Sequence, residues 1–207
     1  MLESVSEMSE SDTKALSAIV HSRAKDGMKV CEVGSWKGGS AETIGNIVKV
    51  NNGVLCCVDN WKGNEGVPNH AEAKDRDVYL DFCYNMEKCG LSKSITTVRA
   101  NSVEAAKLFP DGYFDVIFID ADHRYNSVKS DITAWMKKVK VGGILCGHDC
   151  EQYFSKLPDH FQFMMTDYLE ADMLDVYHPG VILALYEIFN DEYILHFPSK
   201  VWSRELN

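Results

Sequence analysis

The sequence predicts an α/β fold, in which a doubly wound, mostly parallel seven-stranded sheet lies between two helical layers (αβα) and ends in an antiparallel hairpin. Three observations carry this. Short apolar runs recur at 29–34, 54–59, 95–99, 114–120 and 142–147, and continuous runs of this kind fit parallel strands covered on both faces. Between the last two, Tyr125, Val128, Ile132, Trp135 and Val139 recur at three- and four-residue steps, the mark of an amphipathic crossover helix; right-handed crossovers then wind the sheet on both faces. Residues 193–197 and 200–203 flank Pro198-Ser199 as a hairpin whose turn lacks glycine.

The remaining elements follow in order. Within an N-terminal helical segment, 1–27, Ser11-Asp12 precede Leu16, Ile19 and Val20 at helical spacing, so a capped helix opens the fold. Residues 60–94 are too long for an ordinary connection; Gly63, Gly66 and Pro68 give way to a charged helical stretch through Tyr79, Phe82 and Met86. A second excursion, 150–178, is rich in aromatics and methionine, including Tyr153, Phe161, Met165 and Tyr177. Loops of this length in a compact domain are functional or disordered, and the aromatic content speaks against disorder. Both are read as walls or lids of a substrate pocket, with core packing of an extra helix as the alternative. Val181 to Phe189 reads as a further helix.

Composition bounds the function. With 207 residues and 45% hydrophobic content, the chain can bury one substantial core, and 1–207 is read as a single domain. A formal net charge of -10 and no Lys/Arg cluster argue against a nucleic acid, whose binding rests on cationic neutralisation of phosphates. A small molecule is the expected partner. The seven cysteines are odd in number, several sit in strand-like runs, and none forms a C-x-x-C pair; reduced buried thiols in a cytoplasmic protein are expected, not a thiolate zinc site. Glu3, Glu7 and Glu10 leave no basic leader, and no run reaches the length of a membrane span. Oligomeric state is left open, a homo-oligomer included.

The most informative stretch is Glu32-Val33-Gly34-Ser35-Trp36-Lys37-Gly38-Gly39-Ser40, between the first apolar strand and a helical pattern. Its glycines allow a sharp turn and close approach of the backbone to a ligand, and the following helix points free N–H groups at the same place. An acid two places before the first glycine would repel a pyrophosphate but attract an ammonium. That suits S-adenosylmethionine better than NAD, as does the absence of G-x-G-x-x-G spacing. Asp59 closes the second strand 25 residues after Gly34, where a carboxylate can accept ribose hydroxyls or act as a simple turn residue. Trp61 either stacks near the adenosine or packs in the core.

These residues, with Val58-Asp59-x-Trp61, Phe118-Ile119-Asp120-Ala121-Asp122-His123-x-Tyr125, Gly142-Gly143-Ile144, Gly147-His148-Asp149 and His178-Pro179-Gly180-Val181, give a chain that resembles the class I, Rossmann-like S-adenosylmethionine-dependent methyltransferases. Within them it is most similar to the short, often metal-assisted O-methyltransferases related to macrolide-sugar and catechol enzymes, over about Lys29 to Trp202. The resemblance implies a cofactor site from Glu32, Gly34, Ser35, Trp36, Gly38, Ser40, Asp59, Trp61 and Asp120, with Asn101 and Ser102 at the adenine edge. Asn101-Ser102 also read as a helix N-cap, and both readings can hold.

Asp120 ends the fourth strand and His148-Asp149 the fifth, and neighbouring strands lie ~4.8 Å apart, so these side chains share one rim. The resemblance implies a divalent ion there, held by Asp120, His148 and Asp149, lowering the pKa of a substrate hydroxyl. His148 stands where an oxygen donor is expected. This moves the expectation from magnesium towards manganese, iron or zinc, or towards no metal. His123, just past the strand end, is the candidate general base, acting with Asp120, or a surface histidine; Asp122 is the weaker base. His178 is placed beside the substrate by resemblance. The expected reaction is methylation of a hydroxyl on a small molecule. A nicotinamide-dependent oxidoreductase and a non-catalytic S-adenosylmethionine-binding module are the rivals.

Overall fold

In the computed structural model, which describes residues 8–64 and 67–207, the strands are β1 (Lys29–Val33), β2 (Val54–Asp59), β3 (Ile95–Arg99), β4 (Phe114–Ile119), β5 (Val139–Gly147), β6 (Ile194–Leu195) and β7 (Trp202–Glu205). Glu3, Glu7 and Gly66 lie outside the described residues. The helices are α1 (Glu10–His21), α2 (Gly39–Val50), α3 (Tyr79–Lys88), α4 (Ser102–Ala106), α5 (Tyr125–Met136), α6 (Asp159–Met165) and α7 (Pro179–Phe189). All seven strands form one sheet in the order β3-β2-β1-β4-β5-β7-β6. The first five are parallel, with Cys31 opposite both Cys56 and Ile117; β7 pairs antiparallel with β5 and β6.

The alternation of strand side chains divides the core into two. Cys31, Val33, Ile117, Ile119 and Leu145 pack against Ile132 and Trp135 of α5 and Ile182 and Leu185 of α7. Val30, Leu55, Val116, Phe118 and Cys146 pack against Leu16 of α1, Ile44 and Val48 of α2 and Phe82 of α3. Each fully buried large apolar side chain contributes about 1.5–3 kcal/mol relative to exposure, so burial on both faces stabilises the sheet. All seven cysteines are free and five are buried. Among the described residues no helix is long and apolar enough to cross a membrane.

Several boundaries differ from the sequence expectation, each for a local reason. The N-cap of α1 is Ser9, whose Oγ accepts from Asp12 N while Asp12 Oδ2 accepts from Ser9 N, so Asp12 closes a capping box instead of capping. Val139 does not end α5. The helix stops at Met136, Lys138 N turns back to Trp135 O, and Val139 opens β5 opposite Phe114. The first hairpin strand is shorter than expected and the second starts two residues later: Leu195 pairs with Trp202, and residues 196–201 form a connection closed by His196 N to Val201 O.

The sheet positions the site by its order. From β1 the chain winds one way to β2 and β3 and the other way to β4 and β5, so the carboxyl ends of β1 and β4 diverge into opposite connections and leave a crevice. Gly34 allows its closest point. A Cβ there would lie 1.9 Å from Asp120 O, and its φ of +94° is one that glycine adopts freely.

Candidate active site

A cavity of about 640 Å³ occupies this crevice, lined by Gly34, Ser35, Trp36 and Ser40 from the glycine loop, Asp59 after β2, Asn101 and Ser102 after β3, and Asp120, His123, His148 and Asp149 from the far rim. Glu32 and Gly38 stand behind this lining. Period-two alternation turns Glu32 to the α2 side of β1, where it is fully buried. Neither carboxylate oxygen has a hydrogen-bond partner, nor has the nearby Ser35 Oγ. Burial above all, opposed by the nearby Ser35 and Ser40 hydroxyls and aided by the charge of Asp120, pushes the Glu32 carboxyl up to about 7. An unpartnered buried acid is costly, and a cation reaching it would relieve that cost.

Asp59 braces the other side. Its Oδ2 accepts from Trp36 N at 2.8 Å and its Oδ1 from Trp61 N at 2.7 Å, tying the glycine loop to the turn after β2. Burial raises its carboxyl despite these bonds. Trp61 lies in the core: it is 1% exposed, donates from Nε1 to Trp36 O at 2.7 Å, and packs against Tyr79 and Phe82. Trp36 is the tryptophan that faces the cavity, in ring contact with His70 at 4.2 Å. Asn101 caps α4, its Oδ1 accepting from Val103 N at 3.1 Å, and also lines the cavity. Ser102 donates to Asp131 and accepts from Trp135 Nε1.

The opposite rim is built around Asp149. This residue follows β5 in the left-handed region, φ +59°, which asparagine and aspartate tolerate better than other residues. Three imidazoles converge on its carboxylate: His123 Nε2 at 3.1 Å, His148 Nδ1 at 3.3 Å and His178 Nδ1 at 3.6 Å. Asp120 stands 3.8 Å from His123 and 3.9 Å from His148. Burial alone would lower the His123 pKa, but the carboxylates of Asp120, Asp172 and Asp149 outweigh it and push it up to about 10. For His148 the same opposition, with Asp12 and Asp149 as the main partners, ends at about 11. Burial would raise Asp149, and the surrounding imidazoles hold it well below the usual carboxylate range. Asp120, His148 and Asp149 offer donor atoms within 4.8 Å of one another, and so do His123, Asp149 and His178.

Three carboxylates here were invisible to sequence reasoning. Asp172 Oδ1 meets His123 Nδ1 at 2.9 Å, Glu151 Oε1 meets His178 Nδ1 at 2.7 Å, and Asp12 Oδ2 lies 3.4 Å from His148 Nε2. Asp172 and Glu151 belong to no motif, and Asp12 belongs to the capping box of α1. The excursion 60–94 supplies Gly63, Asn64 and His70 to the lining, and Asn64 Nδ2 donates across the crevice to Ala121 O at 3.2 Å. Among the described residues, the cavity lining takes nothing from 150–178; that segment packs Leu157 and Met165 into the core and reaches the rim from behind through Glu151, Asp172 and His178, so His178, expected beside the substrate, is buried behind Asp149 and outside the lining.

No curated protein matches the chain in sequence. The solved O-methyltransferase TomG from Streptomyces achromogenes, involved in tomaymycin synthesis and in complex with S-adenosylmethionine, superposes with a TM-score of 0.64 at 13% identity, covering 96% of this chain and 81% of that one. The Podospora anserina methyltransferase PaMTH1, bound to S-adenosylhomocysteine, gives 0.65 at 12% identity over 94% and 77%. An O-methyltransferase from Bacillus cereus, also with S-adenosylhomocysteine, gives 0.58 at 16% over 95% and 81%. At these identities the likeness shows the fold. The profile of a methyltransferase domain family matches residues 31–150, from β1 to just past Asp149, and thereby covers both the glycine loop and the rim. The chain belongs to this methyltransferase domain family and is a class I methyltransferase.

Proposed function

We propose that the enzyme transfers the methyl group of S-adenosylmethionine to a hydroxyl of a small molecule. The observation that carries this reading is the unpartnered Glu32 carboxylate behind a glycine loop, with a polar rim across the same cavity. One side suits the ammonium of the methionine moiety; the other suits a hydroxyl that must lose a proton. The neighbours TomG and the Bacillus cereus protein are named O-methyltransferases and were solved with S-adenosylmethionine or its product, which supports the donor and the acceptor atom alike.

In this reading Glu32 receives the amine, the backbone at Gly34 and the residues Ser35, Trp36 and Ser40 approach the methionine part, Asp59 holds the ribose, and Asn101 and Ser102 face the adenine. The acceptor oxygen attacks the methyl carbon in line. A C–O bond forms as the S–CH3 bond breaks, S-adenosylhomocysteine leaves, and the hydroxyl proton passes to the rim. Holding two reactants in attack geometry accounts for most of the rate, about 7–11 kcal/mol in well-oriented cases. The excursion 60–94 forms a wall of the acceptor pocket and 150–178 its backing, with His178 buried behind Asp149 and outside the cavity lining.

Two routes exist for the proton. His123 can accept it, with Asp120 beside it, or a divalent ion held on the rim, at Asp120, His148 and Asp149 or at its neighbours, can lower the hydroxyl pKa. The ring of carboxylates around His123 favours the second: Asp120, Asp172 and Asp149 push its pKa up to about 10, which opposes its service as a proton acceptor near neutral pH, and a cation would supply positive charge to the same carboxylates. The test is transfer of labelled methyl from S-adenosylmethionine to a panel of phenolic and sugar hydroxyls, with and without a chelator. Label in an O-methyl product, reduced by chelation and restored by a divalent ion, is expected; label only in N- or S-methyl products of a matched panel would overturn the hydroxyl assignment.

A further inference from the structure

We propose that the rim is a nitrogen-rich metal centre, in which one divalent first-row transition-metal ion is held by His123, Asp149 and His178. The three donors lie within 4.8 Å of one another although they come from the β4–α5 connection, the end of β5 and the start of α7. His123 is oriented as a metal-binding histidine is, with one nitrogen anchored to a carboxylate and the other free for a ligand, whereas the His178 nitrogen that faces Asp149, Nδ1 at 3.6 Å, is the one that Glu151 also meets. His123 Nδ1 meets Asp172 at 2.9 Å, while its Nε2 is buried without a hydrogen-bond partner. Glu151 holds His178 twice, accepting from its backbone N at 3.0 Å and meeting its Nδ1 at 2.7 Å. The rings stand edge to face at 4.8 Å.

Gly180 makes this approach possible. A Cβ at that position would come within 2.2 Å of His123 O and 2.4 Å of Tyr125 N, so the start of α7 is seated directly on the backbone that carries His123. The His178-Pro179-Gly180 motif thereby acquires a physical role.

The alternative trio of Asp120, His148 and Asp149 shares Asp149, so one ion uses one set or the other. His148 is less well prepared: the carboxylate on its far nitrogen, Asp12, stands at 3.4 Å without a hydrogen bond. Two imidazoles and one carboxylate favour zinc, cobalt, nickel or ferrous iron over magnesium and calcium, which take oxygen donors. Three protein ligands leave positions for an exogenous oxygen, which under the methyl-transfer reading is the acceptor hydroxyl. His123 is then a ligand, not the proton acceptor.

The test uses the full chain stripped of metal and titrated with Co2+, followed by visible absorption and calorimetry. One Co2+ per chain is expected, and millimolar Mg2+ should not displace it. His123→Gln and His178→Gln should each weaken it by about 100-fold or more, and Asp172→Asn, which removes no ligand, by about 10–100-fold. His148→Gln, which removes a neighbour of Asp149 and no ligand, should weaken it less than His178→Gln does. Thermal melts of each variant report folding, and Asp172→Asn, on a half-exposed residue, serves if a histidine variant fails to fold. Absence of saturable Co2+ binding, or binding lost in His148→Gln but kept in His178→Gln, would overturn the proposal. S-adenosylhomocysteine binding in the same samples is a separate readout: its failure in a chain that holds Co2+ counts against the methyl-transfer reading alone.

Discussion

His123 Nε2 lies 3.1 Å from Asp149 Oδ2, although the two residues leave the sheet from different strands. The contact depends on β4 and β5 being neighbours with Ile119 opposite Gly147, on the left-handed backbone of Asp149, and on Gly180 seating α7 beneath His123. Around it gather three histidines and their carboxylate partners, and His123 and His148 face the glycine loop across one cavity.

Gly180→Ala should disturb this rim without touching a candidate ligand. The new Cβ would strike backbone atoms of residues 123–125, which cannot rotate away as a side chain could. Overpacking of this kind costs about 1–3 kcal/mol, and a domain of this size loses roughly 2–4 °C in Tm per kcal/mol. An unchanged melting temperature would show that α7 does not sit where the structure places it.

Glu32, as the proposed amine site, should make stability and cofactor binding depend on pH in opposite directions. Its carboxyl is raised from 4.5 to about 7 in the folded chain, so the native state binds the extra proton between those values and stability falls as pH rises from about 4.5 to 7. The full penalty, present above 7, is about 3 kcal/mol on the scale of 1.36 kcal/mol per unit. Glu32→Gln should therefore stabilise the ligand-free protein at pH 8 and change little at pH 4, by denaturant titration. In the wild type, S-adenosylhomocysteine should bind more tightly as pH rises through 7, because the ammonium prefers the ionised acid. Equal affinity at pH 5.5 and 8 would remove Glu32 from the amine site.

Trp36 and Trp61 should separate cleanly. Trp61→Phe keeps an aromatic ring in the core and removes one hydrogen bond, to Trp36 O, which costs about 0.5–1.5 kcal/mol and should leave cofactor affinity nearly intact. Trp36→Ala, at the cavity wall, should weaken S-adenosylhomocysteine with little loss of stability. Calorimetry and thermal melts on both variants decide this, and the reverse pattern would restore Trp61 to the cofactor site.

The sheet was legible because apolar runs and their spacing encode it directly. The errors lie where one pattern serves two structures. Val139 falls four residues after Trp135 and so fits a last helical turn as well as a first strand residue, until the turn at Lys137-Lys138 decides it. Asp12 looks like a cap and is one partner of a capping box, but its Oδ1 also accepts from Lys200 N at 2.9 Å, joining the first helix to the terminal hairpin. The cavity-facing residues were legible from motifs on strand ends. Their supports were not: Asp172 is 49 residues from His123 and Glu151 27 from His178, distances at which only the folded chain makes neighbours. Trp61 was ambiguous in sequence because an aromatic after a strand can turn to either side; its N–H partner, Trp36 O, exists only once the glycine loop is closed.

The central claim is that the glycine loop, Glu32 and Asp59 form an S-adenosylmethionine site. It is tested most directly by calorimetric titration of the full chain with S-adenosylhomocysteine, beside Asp59→Ala and beside NAD. One equivalent should bind, Asp59→Ala should weaken it at least about tenfold, a loss of about 1.4 kcal/mol, and NAD should give no saturable heat. Saturable binding of NAD with none of S-adenosylhomocysteine would contradict it.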